Sequence, residues 1–382
     1  MNSDSWRVGV LFSATGVTAA VERTQYAATM LAIAEINAKG GACGRLLEPV
    51  VYDPASQPRR YRDLAERLCD DDRVSVIFGC HMSSTRKAAL PVIEARGALL
   101  FYPTLYEGFE YSKNCIYTGA PPNQNSVQLV NYIVQNFGNR VLLIGSNYVY
   151  PYESNRIIAD LFRQSRGKVL DEIYVPLDVT AVDFSATIRK IKATQPNVIY
   201  STVVGDGAAL FYQAYRDAGF DPAAMPIASL STAEAEIAQM APGVAEGHIT
   251  AAPYFASLAS NANQAFVAAY RRMFGPDLPI ASGAEAAYFQ VHLYAAALER
   301  SGSDRLGDLL PHLYDVEFDA PQGRVKIERA NNHTHLWPRV GMATGAGQFE
   351  IVADPGVRVA PDPYMLEYRL DPVQPDAARH QR

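Results

Sequence analysis

Short apolar segments that resemble strands alternate with helix-like segments along most of this chain, and the alternation restricts the folds open to it. Apolar runs at 8–12, 47–52, 74–78 and 99–102 predict four strands. Apolar residues at three-to-four spacing predict a helix after each of the first three strands. Strands joined through helices form βαβ units, which build a largely parallel sheet with right-handed crossovers. The sequence therefore predicts an α/β protein.

The alternation begins again after the turn-forming segment at 121–125, which we interpret as a domain boundary. Beyond it we predict helices at 126–137, 154–165, 184–193 and 207–219, and strands at 141–144, 168–175 and 198–202. This second array has the size of the first but no sequence repeat, which indicates two similar lobes and not a solenoid. A strongly apolar helix at 283–300 is predicted to complete the first lobe.

The composition argues against two kinds of partner. The chain has 34 Lys and Arg against 40 Asp and Glu, a net charge of −6, and no run of Lys or Arg longer than two. Nucleic-acid binding normally needs a concentrated basic face, so we expect no direct contact with nucleic acid. No segment has the ~20 apolar residues of a membrane helix, and the start lacks the pattern of an export signal. We therefore expect a cytoplasmic protein with no membrane partner; a homo-oligomer is left open.

Four cysteines and two closely spaced histidines are the residues that could form a disulfide or bind a metal. The four cysteines form no CxxC pair and have no Cys–His spacing typical of zinc sites. Because disulfides are rare inside cells, we expect reduced thiols, with a Cys69–Cys80 disulfide as the alternative. His333 and His335 stand in a polar stretch, and we expect them to face solvent and not to bind a metal. We predict no metal site and no cofactor.

Polar residues that follow the predicted strands are the candidate site residues, because ligands of open α/β sheets bind beyond the carboxyl ends of the strands. Ser83 is of a helix-capping type at a helix start, and we leave open whether it caps only or also contacts a ligand. The other candidates are Tyr102 and Thr104 after the strand at 99–102, Tyr148 and Tyr150 after the strand at 141–144, and Val204 after the strand at 198–202.

The chemistry of these candidates favours a small uncharged ligand. No Arg fork for a carboxylate or phosphate and no phosphate-binding loop occurs at the strand ends. The glycines at 40–44 follow a helix and have the wrong spacing for a dinucleotide site. Hydroxyls, aromatic faces and backbone amides remain, which suit a ligand with one donor and one acceptor, such as a primary amide or urea.

The sequence gives little support for catalysis. His81 stands two positions before Ser83, but no G-x-S-x-G turn surrounds the serine and no third residue is identifiable to orient the imidazole. We therefore predict a binding protein and not an enzyme.

Segments that match a known family are spread over nearly the whole chain. They are 11–18 (LFSATGVT), 79–87 (GCHMSSTRK), 102–111 (YPTLYEGFEY), 122–126 (PNQNS), 148–155 (YVYPYESN), 201–205 (STVVG) and 319–323 (DAPQG). Together they resemble the periplasmic-binding-protein-like proteins of the branched-chain amino acid, amide and urea group. Within that group the chain looks most like the cytoplasmic amide sensors that negatively regulate aliphatic amidase operons.

The resemblance implies a two-lobed type I periplasmic-binding-protein-like fold, in which each lobe is a mostly parallel sheet flanked by helices. It implies a first lobe of 1–121 plus 254–325, a second of 122–253 plus 326–366, and a flexible tail at 367–382. It also implies an amide pocket lined by the candidates named above. A further implied partner is an RNA-binding transcription antiterminator, held inactive until the amide arrives.

Two positions depart from the amide-sensor pattern and belong to the implied pocket. His81 stands where the amide sensors carry Tyr, and Leu105 where they carry Pro, so the identity of the ligand is left open. Thr104 favours the amide side over the urea-binding relatives. We expect a non-enzymatic amide or urea sensor, and the alternative is the solute receptor of an ABC transporter for urea, amides or branched-chain amino acids.

Overall fold

The computed structural model describes residues 5–177, 179–367 and 370. The strands are β1 (Ser5–Leu11), β2 (Leu46–Tyr52), β3 (Val76–Gly79), β4 (Leu99–Tyr102), β5 (Cys115–Tyr117), β6 (Arg140–Ser146), β7 (Lys168–Val175), β8 (Val198–Thr202), β9 (Ile227–Ser229), β10 (Ile249–Ala252), β11 (Glu317–Ala320), β12 (Gly323–Ile327), β13 (Thr334–His335), β14 (Arg339–Ala343) and β15 (Phe349–Ala353). The helices are α1 (Ala19–Ala38), α2 (Pro58–Asp70), α3 (Ser83–Arg96), α4 (Ser126–Asn136), α5 (Val149–Gln164), α6 (Phe184–Thr194), α7 (Asp206–Asp217), α8 (Glu234–Ile237), α9 (Asn261–Phe274), α10 (Ser282–Ser301) and α11 (Leu306–Leu313).

The first sheet has five parallel strands in the order β2-β1-β3-β4-β5. Its central strands are apolar without interruption because both of their faces are covered. Val76 and Phe78 pack on the side of α1 and α10, whereas Ile77 packs on the side of α2 and α3. The sheet is therefore the middle layer of a helix–sheet–helix lobe.

The second sheet has seven strands in the order β15-β14-β10-β9-β8-β6-β7. Strands β6 to β10 run parallel to one another, and β14 and β15 add an antiparallel edge next to β10 from a later part of the chain. The chain thus leaves the first sheet after β5 and crosses back after β10, since α9, α10 and α11 pack into the core of the first lobe. A small antiparallel sheet, β11-β12-β13, lies beside them.

This architecture confirms the predicted two-lobed fold with mostly parallel sheets flanked by helices. The division of the chain into 1–121 plus 254–325 and 122–253 plus 326–366 stays a prediction. The tail predicted for 367–382 lies almost entirely outside the described residues, which include only 367 and 370 of that segment.

Helix α5 and several short strands differ from the sequence predictions. The helix predicted at 154–165 begins at Val149, because a proline in the first helical turn, here Pro151, breaks no intrahelical hydrogen bond. Strands β5, β9 and β10 have only three or four residues each, too few to show a period, and were not predicted. Strand β9 is relevant to the candidate site because several residues that line the cavity follow it.

The expectation that His333 faces solvent is wrong. Its ring is buried, stacks on Tyr117 at 4.2 Å between centroids, and forms a hydrogen bond with the Tyr106 hydroxyl. Burial lowers the pKa of His333 to about 3, so the ring is neutral at pH 7. His335 contacts Glu328 at 3.0 Å. This histidine pair is part of the packing and not a paired ligand set.

The four cysteines are unpaired, so the structure does not contain the alternative Cys69–Cys80 disulfide. None of the described helices combines the length and the apolar composition that crossing a bilayer requires. Within the same described residues, no three His, Cys, Asp or Glu side chains converge in the way a metal site requires.

Candidate ligand-binding site

The strand ends of the two sheets line one cavity between the lobes. Its volume is about 110 Å³, which is room for several water molecules or one small organic molecule. The first lobe contributes the segments that follow β3 and β4, and the second lobe contributes those that follow β6, β8 and β9. The cavity therefore lies where strand-end geometry in two facing α/β lobes places a ligand.

Most of the predicted site residues meet in this cavity. Seven of the eight line it: His81, Ser83, Thr104, Leu105, Tyr148, Tyr150 and Val204. The segment at 79–87 and the loop after β4 meet the start of α5 and the loop after β8 there, although they come from different lobes. Whether these side chains bind a ligand stays a prediction.

Tyr102 is placed differently from the prediction. Its ring is fully buried, lies edge-on to Tyr106 and Tyr117, and is not among the residues that line the cavity. Its hydroxyl donates to the carbonyl oxygen of His81 at 2.6 Å. Tyr102 therefore supports the loop that carries His81 and Ser83 from behind, because its strand directs the ring into the core.

Three side chains on the first-lobe wall form a polar triangle. The Gln25 amide nitrogen donates to Thr104 Oγ1 at 2.9 Å, and His81 Nδ1 lies 3.1 Å from Gln25 Oε1 and 3.2 Å from Thr104 Oγ1. Burial lowers the pKa of His81 to about 4, so the imidazole is neutral at pH 7. This wall offers hydrogen bonds without a formal charge. Gln25 was missed because it lies in the middle of α1, far from any strand end.

Ser83 is the first residue of α3, and its side chain does not cap the helix. The position before the helix is Met82, which makes no side-chain cap. The Ser83 hydroxyl instead donates to the carboxylate of Glu107, which pairs with the guanidinium of Arg86 at 3.4 Å. The Ser83 hydroxyl proton points to Glu107, and Ser83 Oγ accepts from Arg86 Nη1 at 3.5 Å, which leaves one lone pair of the oxygen for another partner.

Arg86 and the two glutamates form a buried charge cluster behind Ser83. Arg86 is fully buried, lies 4.6 Å from the ring centroids of Tyr102 and Tyr106, and contacts Glu110 at 2.7 Å. Burial alone would raise the pKa of Glu110, but Arg86 and Lys87 hold it at about 2. This cluster could not be predicted from the sequence, because the identity of a charged residue does not show whether it is buried together with a partner of opposite charge.

The second-lobe wall begins with two tyrosines. Tyr148 is extended just before α5 and Tyr150 lies in the first turn, with 6.4 Å between their ring centroids. Burial raises the pKa of both phenols, so they are neutral hydroxyls at pH 7. The hydroxyl of Tyr150 is buried and has no hydrogen-bond partner.

Two carboxyl groups also line the cavity and were not predicted. Glu234 and Glu236 lie in α8, which follows the short strand β9. Glu234 is only 4% exposed and its Oε1 has no hydrogen-bond partner, whereas Glu236 Oε2 accepts from the Ala233 amide at 2.9 Å. Burial raises the pKa of Glu234 to about 8 and that of Glu236 to about 7. Glu234 and Glu236 were not predicted as site residues because the strand before them, β9, was not predicted either.

His81 and Ser83 do not form a nucleophile–base pair. Ser83 donates to Glu107, while the His81 ring contacts Gln25 and Thr104. A serine nucleophile needs its base within hydrogen-bond reach. In this arrangement the His81 imidazole is therefore not hydrogen-bonded to the Ser83 hydroxyl.

A two-lobed α/β protein with a cavity between its lobes, lined by apolar residues and a few polar groups, has the architecture of a small-molecule binding protein. The sequence matches the model of the periplasmic binding protein domain family over residues 6–369. The chain therefore belongs to this family.

Two curated relatives differ in how much of the chain they share. The leucine-, isoleucine-, valine-, threonine- and alanine-binding protein of Pseudomonas aeruginosa is 23% identical over 332 residues, which are 86% of this chain and 87% of that protein. A protein named limonene hydroxylase from Geobacillus stearothermophilus is 30% identical over 127 residues, which are 33% of this chain and 23% of that protein. The chain spans about half the length of several other amino-acid-binding relatives.

Solved structures share the fold. A solute-binding protein of an ABC transporter from Rhodopseudomonas palustris, in complex with 3,4-dihydroxybenzoic acid, has a TM-score of 0.81 at 22% identity over 93% of this chain and 99% of that one. The branched-chain amino acid transporter substrate-binding protein from Streptococcus pneumoniae, in complex with isoleucine, has a TM-score of 0.80 at 22% identity over 91% and 99%. These likenesses support a binding-protein fold for this chain.

Proposed function

We propose that this protein binds a small ligand of the amide or urea type in the interlobe cavity and serves as the solute receptor of an ABC-type transporter. The main support for the proposed ligand is that one cavity between the two lobes is lined by Ser83, Thr104, Tyr148 and Tyr150. The transport part is supported by the relatives, whose names describe amino-acid- and solute-binding proteins.

The lining of the cavity is what favours an amide or urea over a carboxylic acid. Among the described residues, no lysine or arginine lines the cavity, so a ligand carboxylate would find no cation there. The polar lining consists of hydroxyls, side-chain amides such as Gln25 and Gln322, and the two carboxyl groups in α8, and these pair well with the N–H and C=O groups of an amide.

A thermal-unfolding panel tests the ligand class, because a ligand that binds only the folded protein raises the melting temperature. Acetamide, propionamide, urea, leucine and benzoate are compared at equal concentration. We expect the amides or urea to raise the melting temperature most. A rise with leucine or benzoate alone would overturn the proposed ligand class but keep a receptor function.

A second candidate function is a cytoplasmic amide sensor that controls an RNA-binding antiterminator. It is favoured by the resemblance of the segments 79–87 and 102–111 to the amide sensors. Fractionation of cells that express the native gene separates the two functions. Protein in the periplasm supports the receptor, and cytoplasmic protein that co-purifies with an antiterminator in the absence of amide supports the sensor.

A further inference from the structure

We propose that Glu234 is the counter-ion of the cavity and that the preferred ligand is a small cation rich in N–H donors, of the amidine or guanidine type. The proposal rests on the proposed function in one respect, that a small ligand occupies the interlobe cavity. It deepens that function by assigning a positive charge to the ligand and a contact to a residue of the second lobe.

The first argument is that Glu234 is a buried carboxyl group with an unused oxygen. Its Oε1 has no hydrogen-bond partner although the residue is 4% exposed. Buried polar atoms without partners are rare and costly in native proteins. Glu234 lines the cavity, so a ligand that donates a hydrogen bond there would satisfy this oxygen.

The second argument is the charge of the cavity wall. The titratable residues that line it are His81, Tyr148, Tyr150, Glu234 and Glu236. The imidazole and the phenols are neutral at pH 7. Among the described lining residues, Glu234 and Glu236 are the groups that can lose a proton near neutral pH, since burial raises their pKa values to about 8 and about 7. A cation that takes the place of the Glu234 proton therefore meets complementary charge, while an anion opposes the ionisation of both carboxyls.

No protein cation takes the place of the proposed ligand. Glu234 also borders a neighbouring groove of about 310 Å³, which contains Arg271. Arg271 is exposed, and no ion pair between it and Glu234 is found in the described part of the chain. Within the described residues, Glu234 is therefore not neutralised by a side chain of the protein itself.

The third argument comes from the opposite wall. Ser83 donates its proton to Glu107, and Arg86 holds that glutamate in place. Arg86 Nη1 also donates to Ser83 Oγ at 3.5 Å, so this oxygen has one lone pair left with which to accept a hydrogen bond from a ligand. Acceptors on both lobes match a ligand with N–H groups at more than one edge, which an amidinium or guanidinium ion has.

Three molecules of the same shape test the proposal. Acetate, acetamide and acetamidinium share four heavy atoms in one planar arrangement and carry charges of −1, 0 and +1. Titration calorimetry on the purified full chain at pH 8 should give acetamidinium the tightest binding, on the order of tenfold or more tighter than acetamide. Acetate should not bind measurably. This comparison needs no variant and does not depend on how any variant folds.

The variant Glu234→Gln then tests the assigned residue. It should lose the preference for acetamidinium over acetamide that the wild type shows. Glu236→Gln removes the same charge two residues away and should keep acetamidinium the tighter ligand, because the Glu236 carboxyl already accepts from Ala233. Thermal unfolding of both variants verifies that they are folded.

The outcomes separate this inference from the proposed function. Binding of acetamide with no preference for acetamidinium overturns the counter-ion and leaves the amide receptor in place. A preference for acetamidinium that survives in Glu234→Gln overturns the role of Glu234. Failure of the amides, urea and acetamidinium to bind overturns both proposals together.

Discussion

At the scale of single residues, Arg86 supports a site that it does not line. It is fully buried between two tyrosine rings and pairs with Glu107 and Glu110. We predict that Arg86→Met lowers the free energy of unfolding by about 3–5 kcal/mol, because two carboxylates lose their buried counter-charge. Urea denaturation followed by circular dichroism measures the change.

Lys87→Ala is the matched control for Arg86→Met. Lys87 pairs with the same Glu110 at 2.7 Å, but its side chain is exposed. Exposed ion pairs contribute about 0–1 kcal/mol, so this variant should lie within that range. Equal losses in the two variants would contradict the buried role assigned to Arg86.

A second prediction concerns Thr104, which lines the cavity on the first lobe. Thr104→Val keeps the shape of the side chain but removes the oxygen that accepts from Gln25 and contacts His81. We expect binding of the best amide ligand to weaken by about 1–3 kcal/mol, because a polar group of the ligand or of Gln25 loses its partner on burial. Calorimetry on Thr104→Val and on Ser83→Ala, with Thr104→Ser as control, measures the loss. Unchanged affinity in both variants would place the ligand elsewhere.

How far these residues could be predicted depends on what positions each of them. Ser83 and Thr104 follow apolar strands, so the strand-end rule found them without knowledge of the fold. Glu107 lies in the loop after β4, but its importance comes from its contact with Arg86, a residue 21 positions earlier. Glu234 follows a strand of three residues that leaves no periodic trace. Tyr102 ends a strand, yet its ring points into the core.

At the scale of elements, the close approach of two strand-end loops shapes the cavity. A Cβ on Gly119 would lie 2.0 Å from the carbonyl carbon of Thr104 and 2.5 Å from the Leu105 nitrogen. We predict that Gly119→Ala destabilises the protein by about 1–3 kcal/mol and also weakens ligand binding, because the segment that must move carries Thr104. Denaturation and calorimetry on the same preparation measure the two effects.

Gly307→Ala provides the control for Gly119→Ala. Gly307 lies in α11, and a Cβ there would meet nothing within 4 Å. Alanine is the better helix former, so stability should change by no more than about 1 kcal/mol, in the stabilising direction. Ligand affinity should not change, since α11 does not line the cavity.

Long elements were predicted well and their ends less well, for a physical reason. Helices such as α10 and strands such as β6 bury enough apolar residues to show a period. The start of α5 depends on Pro151 and on the extended backbone of Tyr148. The backbone conformation at such a position is set by the tertiary contacts of the loop and leaves no periodic pattern in the sequence. The site lies at such element ends, so its fine geometry was less predictable than the sheet order.

At the scale of the whole molecule, the cavity is bounded by the segments that join the lobes. Ala120 comes after β5, Ala252 is the last residue of β10, and Pro253 comes directly after it. At these points the chain passes between the two sheets. A ligand held by both walls therefore favours the arrangement of the lobes in which both walls reach it. It shifts that equilibrium only as far as its affinities for the two arrangements differ.

Buried carboxyl groups make the stability of the whole molecule depend on pH. Burial raises the pKa of Glu285 and Glu234 to about 8 and that of Glu236 to about 7. In the unfolded chain these groups ionise near their ordinary pKa of 4.5. Between that value and 8 the folded state therefore holds more protons than the unfolded state, and stability falls as the pH rises. The buried histidines oppose this fall progressively less above pH 6.5, because unfolded histidines, with an ordinary pKa of 6.5, lose most of their protons over the next pH unit.

We therefore predict that the free energy of unfolding decreases from pH 6.5 to pH 8, by up to about 1.4 kcal/mol per pH unit for each proton that only the folded state retains. Glu285→Gln, which has no proton to lose, should reduce the slope, whereas the exposed control Glu350→Gln should leave it unchanged. Urea denaturation at several values in this range measures the slopes. A wild-type stability that is flat or rises from pH 6.5 to pH 8 would mean that these carboxyls ionise near their ordinary pKa of 4.5 in the folded protein as well, which would contradict the proton that burial lets the folded state retain.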